Sequence, residues 1–134
     1  HDKAYRYKPF DYLNDIALRM AAGAASVIVS RAGSGGIFEI AAWGKPSIII
    51  PIPESISHDQ RHNAFAYARS GAAEVVEEKN LTSHLLTAEI AKIIGNPALQ
   101  QKMSLAATHF ARPDAEQKIA REIINIALSH EIQN

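Results

Sequence analysis

A glycine-rich turn in the first third of the chain offers the clearest chance of chemistry. A β-branched run at residues 26–30 leads into Arg31-Ala32 and then Gly33, Ser34, Gly35 and Gly36, after which a helical pattern begins. Glycines let the backbone turn tightly and approach a ligand, and the free amides at a helix start attract anions. A diphosphate would fit there. Plain structural turns use glycine too, so this turn alone favours the two interpretations equally.

One carboxylate follows the turn at short range. Glu39 comes three residues after Gly36, on the first turns of the predicted helix. It could accept the two hydroxyls of a ribose, as an acidic residue does in nucleotide-binding βαβ units. It could instead act only as a capping charge, stabilised by the helix dipole. Taken alone, its position favours capping.

Polar side chains cluster again after the next predicted strand, at residues 58–63, His-Asp-Gln-Arg-His-Asn. Ligands bind at the carboxyl ends of strands in open α/β sheets. Gln60 and Asn63 are spaced i, i+3 and so share one helical face, and amides suit sugar hydroxyls. A solvated helix start capped by Asp59 explains the same residues equally well.

The histidines and the cysteine content of the sequence do not favour a metal site. His58 and His62 stand at i, i+4, but a zinc protease motif needs Glu where Asp59 stands, and a third ligand is not apparent. The absence of cysteine excludes disulfides and thiolate metal sites. We therefore expect no metal and no cofactor.

Alternating strands and helices must position these motifs. Strands are predicted at residues 26–30, 47–50 and 73–77, and helices at about 11–22, 37–43, 59–70, from 81 onward, 98–111 and 113–130. Such alternation implies right-handed crossovers and a parallel sheet, in the order of the strands, with helices on both faces. Three strands are about half of a doubly wound domain. We therefore predict an α/β, Rossmann-like partial domain at residues 11–134, preceded by a tail or linker at residues 1–10.

Composition limits the function classes. The 134 residues suit one core, and 47% hydrophobic with 21% charged residues is ordinary for a globular domain. The net charge is zero, which argues against nucleic-acid binding. A membrane span needs about 20 apolar residues, which no run here approaches. Because the chain begins with His1, we expect it to be a piece of something longer.

Taken together, these stretches resemble glycosyltransferase family 28, a GT-B family, and most closely its MurG-type members. The ordered series covers roughly residues 8–128 and is more specific than any one motif. It consists of Ser30-Arg31-Ala32-Gly33, Glu39-Ile40-Ala41-Ala42, Gly44-Lys45-Pro46, Pro51-Ile52-Pro53, Asp59-Gln60 with Asn63-Ala64, Gly71-Ala72-Ala73, and Ala111-Arg112-Pro113-Asp114-Ala115.

The resemblance implies a UDP-sugar site. The amides of the glycine turn would face the diphosphate, with Ser34 near the sugar, and Glu39 would hold the ribose. Gln60 and Asn63 would bind the hydroxyls of N-acetylglucosamine. The segment that packs on uracil in this family matches Tyr12 and Leu13.

The sequence also differs from the family pattern in three places. Gly36 occupies a position where Thr often contacts a phosphate, and Asp59 one where Gln or His is common. The helix after Leu13 is about two residues longer than usual, which affects the uracil assignment.

The resemblance also implies partners and a place in the cell. The parent enzyme would transfer N-acetylglucosamine from UDP-GlcNAc to a lipid-linked peptidoglycan precursor held by an N-terminal domain that this chain lacks. The fragment alone would be inactive. We expect a cytoplasmic protein whose parent is peripheral at the inner face of the plasma membrane. The alternatives are another lipid glycosyltransferase or catalytic subunit of the family, and a non-enzymatic module that self-associates through an exposed sheet edge.

Overall fold

Strands and helices alternate along the chain in a computed structural model that describes residues 6–112 and 114–131. A 3₁₀ turn at Glu78–Asn80 follows the third strand. The helices and strands of the described residues are α1 Asp15–Ala24, β1 Ile28–Ser30, α2 Ser34–Ala42, β2 Ser47–Ile49, α3 His58–Arg69, β3 Ala73–Val75, α4 Ser83–Ile94, α5 Pro97–Ala111 and α6 Ala115–Glu131.

The three strands form one parallel sheet in the order β1-β2-β3. Val29 of β1 lies opposite Ile48 of β2, which in turn lies opposite Glu74 of β3. The predicted parallel sheet and its strand order are confirmed. Each strand keeps only three residues in the ladder, fewer than the β-branched runs suggested. The neighbouring Ile50 and Val76 still donate to Ser30 and Ile49 across the sheet, at 2.8 and 3.1 Å.

Helices cover both faces of the sheet, as predicted. Side chains alternate across a strand, so Ile49 and Ile48 point to opposite faces. Ile49 belongs to a cluster with Ile37 and Ile40 of α2 and Tyr67 of α3. The cluster on the other face contains Ile48, Ile50, Val76, Ile93 and Met103, which brings in α4 and α5.

Two helix starts differ from the sequence prediction by three or more residues. α1 begins at Asp15 rather than residue 11, because the side chain of Asn14 accepts a hydrogen bond from the Ala17 N–H at 2.9 Å and caps the helix there. α2 begins at Ser34 rather than Ile37, so Ser34, Gly35 and Gly36 form its first turn. The predicted ligand-binding turn is therefore largely a helix N-terminus.

The termini of the chain are less regular. Residues 7–10 form neither helix nor strand and are exposed, while residues 1–5 lie outside the described residues, so the boundary at residue 10 stays a prediction. Within the described ranges, no helix has both the length and the apolar character that crossing a membrane requires.

Candidate functional site

The site lies where β1 and β2 end, at the carboxyl edge of the sheet. Gly33 is the N-cap of α2 in an extended conformation, and no side chain caps this helix. The first backbone amide to bond within the helix is that of Ile37, which donates to the Gly33 carbonyl at 3.0 Å. The N–H groups of Ser34, Gly35 and Gly36 therefore have no partner within the helix, which is the arrangement that binds an anion.

The missing cap distinguishes this helix from others in the chain. Asn14, Thr82 and Asn96 each accept a backbone N–H at the starts of α1, α4 and α5. α2 and α3, whose N-termini both lie at the carboxyl edge of the sheet, begin without a side-chain cap. The starts of α2 and α3 at the candidate site are thus left open, whereas those of α1, α4 and α5 are closed by side chains.

Glu39 lies on the wall of an open cleft of about 710 Å³ between α1, α2 and the start of α6. Its side chain is exposed, and no hydrogen bond or ion pair joins it to any described residue. A capping bond to the start of α2 is therefore not part of the structure. The cleft is also lined by Asp15, Leu18, Arg19, Phe38, Ala42, Trp43 and Glu116.

Phe38 of α2 and Trp43, the C-cap of that helix, both line this cleft but differ in burial. Trp43 is half-buried against the core cluster. Phe38 is 54% exposed and lies against Phe110 with the ring centroids 5.8 Å apart. It faces outward because Ile37 and Ile40 fill the space beneath the helix.

Gln60 and Asn63 reach back to the turn that precedes α2. The Gln60 Oε1 accepts the backbone N–H groups of Ala32 and Ile52, each at 3.3 Å. The Asn63 Nδ2 donates to the Ala32 carbonyl at 3.4 Å. The i, i+3 spacing does place the two amides together, and their partners in the structure are backbone groups.

Tyr12 and Leu13 lie just before the capping residue of α1. Tyr12 is 82% exposed and Leu13 is half-buried. Neither lines the cleft that contains Glu39. The structure thus groups Glu39 with α1 and groups the amides with the glycine turn, but it leaves the segment assigned to uracil apart from both.

A network of ion pairs at the same edge was not anticipated from the sequence. Arg31 pairs with Glu78, and Arg61 pairs with Glu77 at 2.9 Å and with Glu54 at 3.3 Å. Lys79 also contacts Glu77 at 3.0 Å. All of these residues except Arg31 line a cavity of about 380 Å³, together with Pro51, Ile52 and Pro53.

The charges in this network stabilise one another's ionised forms. Hydrogen bonds from Lys79 and then from Arg61 lower the pKa of the Glu77 carboxyl. The hydrogen bond to Glu77 likewise raises the pKa of Arg61. The pairs link residues up to 47 positions apart, as in Arg31 with Glu78, so only the fold brings them together. The sequence contained one indication of this network. Arg31 precedes the glycine-rich turn and Arg61 lies within the polar cluster at residues 58–63.

The chain matches one protein family over most of its length. Residues 1–119 match the model of the glycosyltransferase family 28 C-terminal domain. Two curated relatives are both named UDP-N-acetylglucosamine--N-acetylmuramyl-(pentapeptide) pyrophosphoryl-undecaprenol N-acetylglucosamine transferase. The protein of Bartonella quintana (strain Toulouse) is 40% identical over 109 residues, which are 81% of this chain and 28% of the relative. That of Sorangium cellulosum (strain So ce56) is 35% identical over 124 residues, which are 92% of this chain and 30% of the relative.

A solved structure shows the same architecture. The crystal structure of Acinetobacter baumannii MurG superposes with a TM-score of 0.73 at 27% identity, over 87% of this chain and 33% of that protein. The chain thus spans about a third or less of the length of the relatives it matches.

Proposed function

This chain belongs to glycosyltransferase family 28, through the C-terminal domain of that family, and on this basis we propose that it is the donor-binding part of an enzyme that transfers N-acetylglucosamine from UDP-GlcNAc to a lipid-linked peptidoglycan precursor. The observation that carries the proposal is the uncapped N-terminus of α2 at the carboxyl edge of the sheet, with Glu39 lining a cleft beside it. Relatives at 35–40% identity that are named for this reaction support it.

Three groups of residues bind different parts of the UDP-GlcNAc donor in this proposal. The amides of Gly33, Ser34, Gly35 and Gly36 receive the diphosphate, with Ser34 nearest the sugar. The Glu39 carboxylate accepts the ribose hydroxyls, since its exposed side chain bonds to none of the residues that the structure describes. Gln60 and Asn63 contact the hydroxyls of N-acetylglucosamine.

Uracil would lie against the segment that precedes α1. Tyr12 and Leu13 must approach the cleft for uracil to reach them, and the segment before α1 is exposed in the structure. The neighbouring Asp15 and Leu18 of α1 already line that cleft.

Catalysis requires more than the donor site. Amides at a helix N-terminus stabilise the charge that develops on a departing diphosphate. The acceptor and a general base would come from an N-terminal domain in the parent enzyme, and this chain alone would be inactive. We propose a cytoplasmic parent, peripheral at the inner face of the plasma membrane, because the acceptor in the relatives' names is an undecaprenol derivative.

Self-association of this chain is a second proposal, favoured by its exposed apolar surface. Ile119, Ile123 and Leu128 on α6 are each more than half exposed, and Val29 on the outer strand β1 is 39% exposed. Surfaces of this kind seek a partner. We expect a dimer or larger oligomer at micromolar concentration, and sedimentation equilibrium giving the monomer mass would contradict this.

Calorimetric titration of the chain tests the donor assignment. UDP should bind, and UDP-GlcNAc should compete better than UDP-glucose or UDP-galactose. Glu39→Ala should weaken UDP binding by roughly 10-fold to 100-fold, the value of a hydrogen bond to a charged group, without lowering the melting temperature appreciably. Glu122→Ala is the matched control, because Glu122 is an exposed carboxylate on α6 that does not line the cleft.

Two results would count against the proposal. A chain that binds no uridine nucleotide at millimolar concentration is not a donor-binding domain. Equal affinities for the Glu39→Ala and Glu122→Ala variants would remove Glu39 from the ribose site while leaving the rest of the site in place.

A further inference from the structure

The peptide groups around Ala32 lie beyond the reach of the sheet. The ladder between β1 and β2 ends at the pair Ser30 and Ile49. Ala32 is fully buried, so water does not reach its peptide groups. Buried backbone donors and acceptors need partners, and here neither strand supplies them.

Two side chains of α3 supply those partners. Gln60 accepts the Ala32 N–H and Asn63 donates to the Ala32 carbonyl, so this residue is held from both ends. The same Gln60 oxygen accepts the N–H of Ile52, in the loop after β2. One helix face thus ties together the two loops that follow β1 and β2.

The glycines of the turn that opens α2 make few side-chain contacts. A Cβ added to Gly33 or Gly35 would meet nothing within 4 Å, and one added to Gly36 would lie 3.9 Å from the Ser30 hydroxyl. The buried residues Ala32 and Ile37 hold the turn at its two ends. Glycines also leave the backbone unusually free to change conformation. The direction of the open amides of α2 therefore depends on how firmly Ala32, the residue just before them, is held.

We propose that Gln60 and Asn63 are positioning residues for the glycine turn, and that diphosphate binding depends on them although they do not contact the diphosphate. This inference rests on the proposed donor site. The Gln60 NH₂ and the Asn63 Oδ1 have no hydrogen-bond partner among the described residues. The pair can therefore contact the sugar with those atoms while its other atoms hold the turn, which couples the sugar and diphosphate subsites.

The test compares two ligands, UDP and UDP-GlcNAc, in calorimetric titrations of the whole chain. Gln60→Met keeps the length of the side chain and removes its hydrogen bonds. It should weaken UDP by about tenfold and UDP-GlcNAc by at least as much, because two hydrogen bonds that hold the turn are lost. His62→Ala, at an exposed position on the same turn of α3, is the matched control and should bind both ligands like the wild type.

A role limited to the sugar gives a different result. In that case Gln60→Met would leave UDP affinity unchanged and weaken UDP-GlcNAc alone, which would overturn the inference. Thermal melting shows whether each variant is folded at the titration temperature.

Residue-resolved hydrogen exchange tests the bonds of Gln60 to the Ala32 and Ile52 amides in the absence of ligand. The Ala32 and Ile52 amides should be protected in the wild type, lose protection in Gln60→Met and regain it in Gln60→Glu, which keeps the acceptor oxygen. If the wild-type chain binds neither nucleotide, the proposed function is wrong. The exchange measurement then still tests whether Gln60 holds the Ala32 and Ile52 amides. Equal protection of both amides in wild type and Gln60→Met would overturn it.

Discussion

Two regions of the molecule are stabilised in different ways. The first is the sheet with the helices that cover it, α2 to α5, and the second consists of the terminal helices α1 and α6. Ile48, Ile49 and Tyr67 are completely buried in the first region. In α1 and α6, by contrast, Ile16 is 73% exposed and Ile123 is 62% exposed. Burial of apolar surface is the main source of stability, so the first region contributes far more to the free energy of unfolding than α1 and α6 do.

The first region is stabilised by packing of buried side chains, whereas α1 depends on hydrogen bonds at its two ends. α1 is capped by Asn14 at its start, and Lys45 donates to the carbonyls of Gly23 and Ala25 at its end, at 2.9 and 3.0 Å. A cation at a helix C-terminus is favourable but contributes only about 0.3–1 kcal/mol. The cleft that contains Glu39 lies between these regions, so one of its walls is held firmly and the other weakly.

The largest expected difference between the regions comes from truncating one isoleucine in each. Ile48→Ala should lower the free energy of unfolding by about 2–5 kcal/mol, because it leaves a cavity in the buried central strand. At concentrations low enough to keep the chain monomeric, Ile123→Ala should change it by less than about 0.5 kcal/mol, because Ile123 is 62% exposed in the single chain. Urea unfolding measures both. A comparable loss in Ile123→Ala would show that α6 is buried in solution, as it would be in an oligomer.

Two glycines sharpen the comparison at a smaller scale. Gly44 has φ +62°, and a Cβ there would lie 2.8 Å from the Thr108 hydroxyl on α5. Gly44→Ala should therefore destabilise the chain by roughly 1–3 kcal/mol. Gly23→Ala in α1 meets nothing within 4 Å and should stabilise the helix by up to about 1 kcal/mol, because alanine is the better helix former.

Circular dichroism and urea unfolding separate the effects at these glycines. The double change Gly44→Ala with Thr108→Ala should recover the part of the loss that comes from the contact, leaving the part due to backbone strain. If Gly23→Ala increases helicity without moving the unfolding midpoint, α1 folds independently of the sheet. A higher midpoint would show that α1 belongs to the same cooperative unit.

The smallest effect concerns two tyrosines at alkaline pH. Burial raises the pKa of the Tyr67 phenol from 10.0 to about 12, and the Ser47 hydroxyl offsets only part of this. The folded state thus keeps a proton that the unfolded state releases. The stability from this difference is fully present below pH 10 and is lost as the pH rises toward 12, amounting to about 1 kcal/mol by pH 11.

Urea midpoints between pH 9 and pH 11 measure that loss. Tyr67→Phe should reduce the alkaline loss of stability by about 1 kcal/mol relative to the wild type. Tyr12→Phe removes an exposed phenol and should keep the full loss. Parallel pH profiles for the two variants would contradict a buried, protonated Tyr67.

Patterns within short stretches of sequence were enough to predict the order of elements and the sheet. The β-branched runs and the helical stretches between them are local signals, and right-handed crossovers then require a parallel arrangement. The resemblance to glycosyltransferase family 28 is also a property of ordered local motifs, and the family match confirms it. Element boundaries were less predictable, since the start of α1 depended on one bond from Asn14.

The roles of individual polar side chains depended on the tertiary structure. The sequence by itself placed Gln60 and Asn63 on one helical face and Glu39 one turn into α2. Only the fold decided that the two amides reach Ala32 and Ile52, up to 31 positions away, and that Glu39 remains free beside α1. The physical reason is that an amide bonds whichever buried donor or acceptor lacks a partner, and packing between distant segments determines which groups those are.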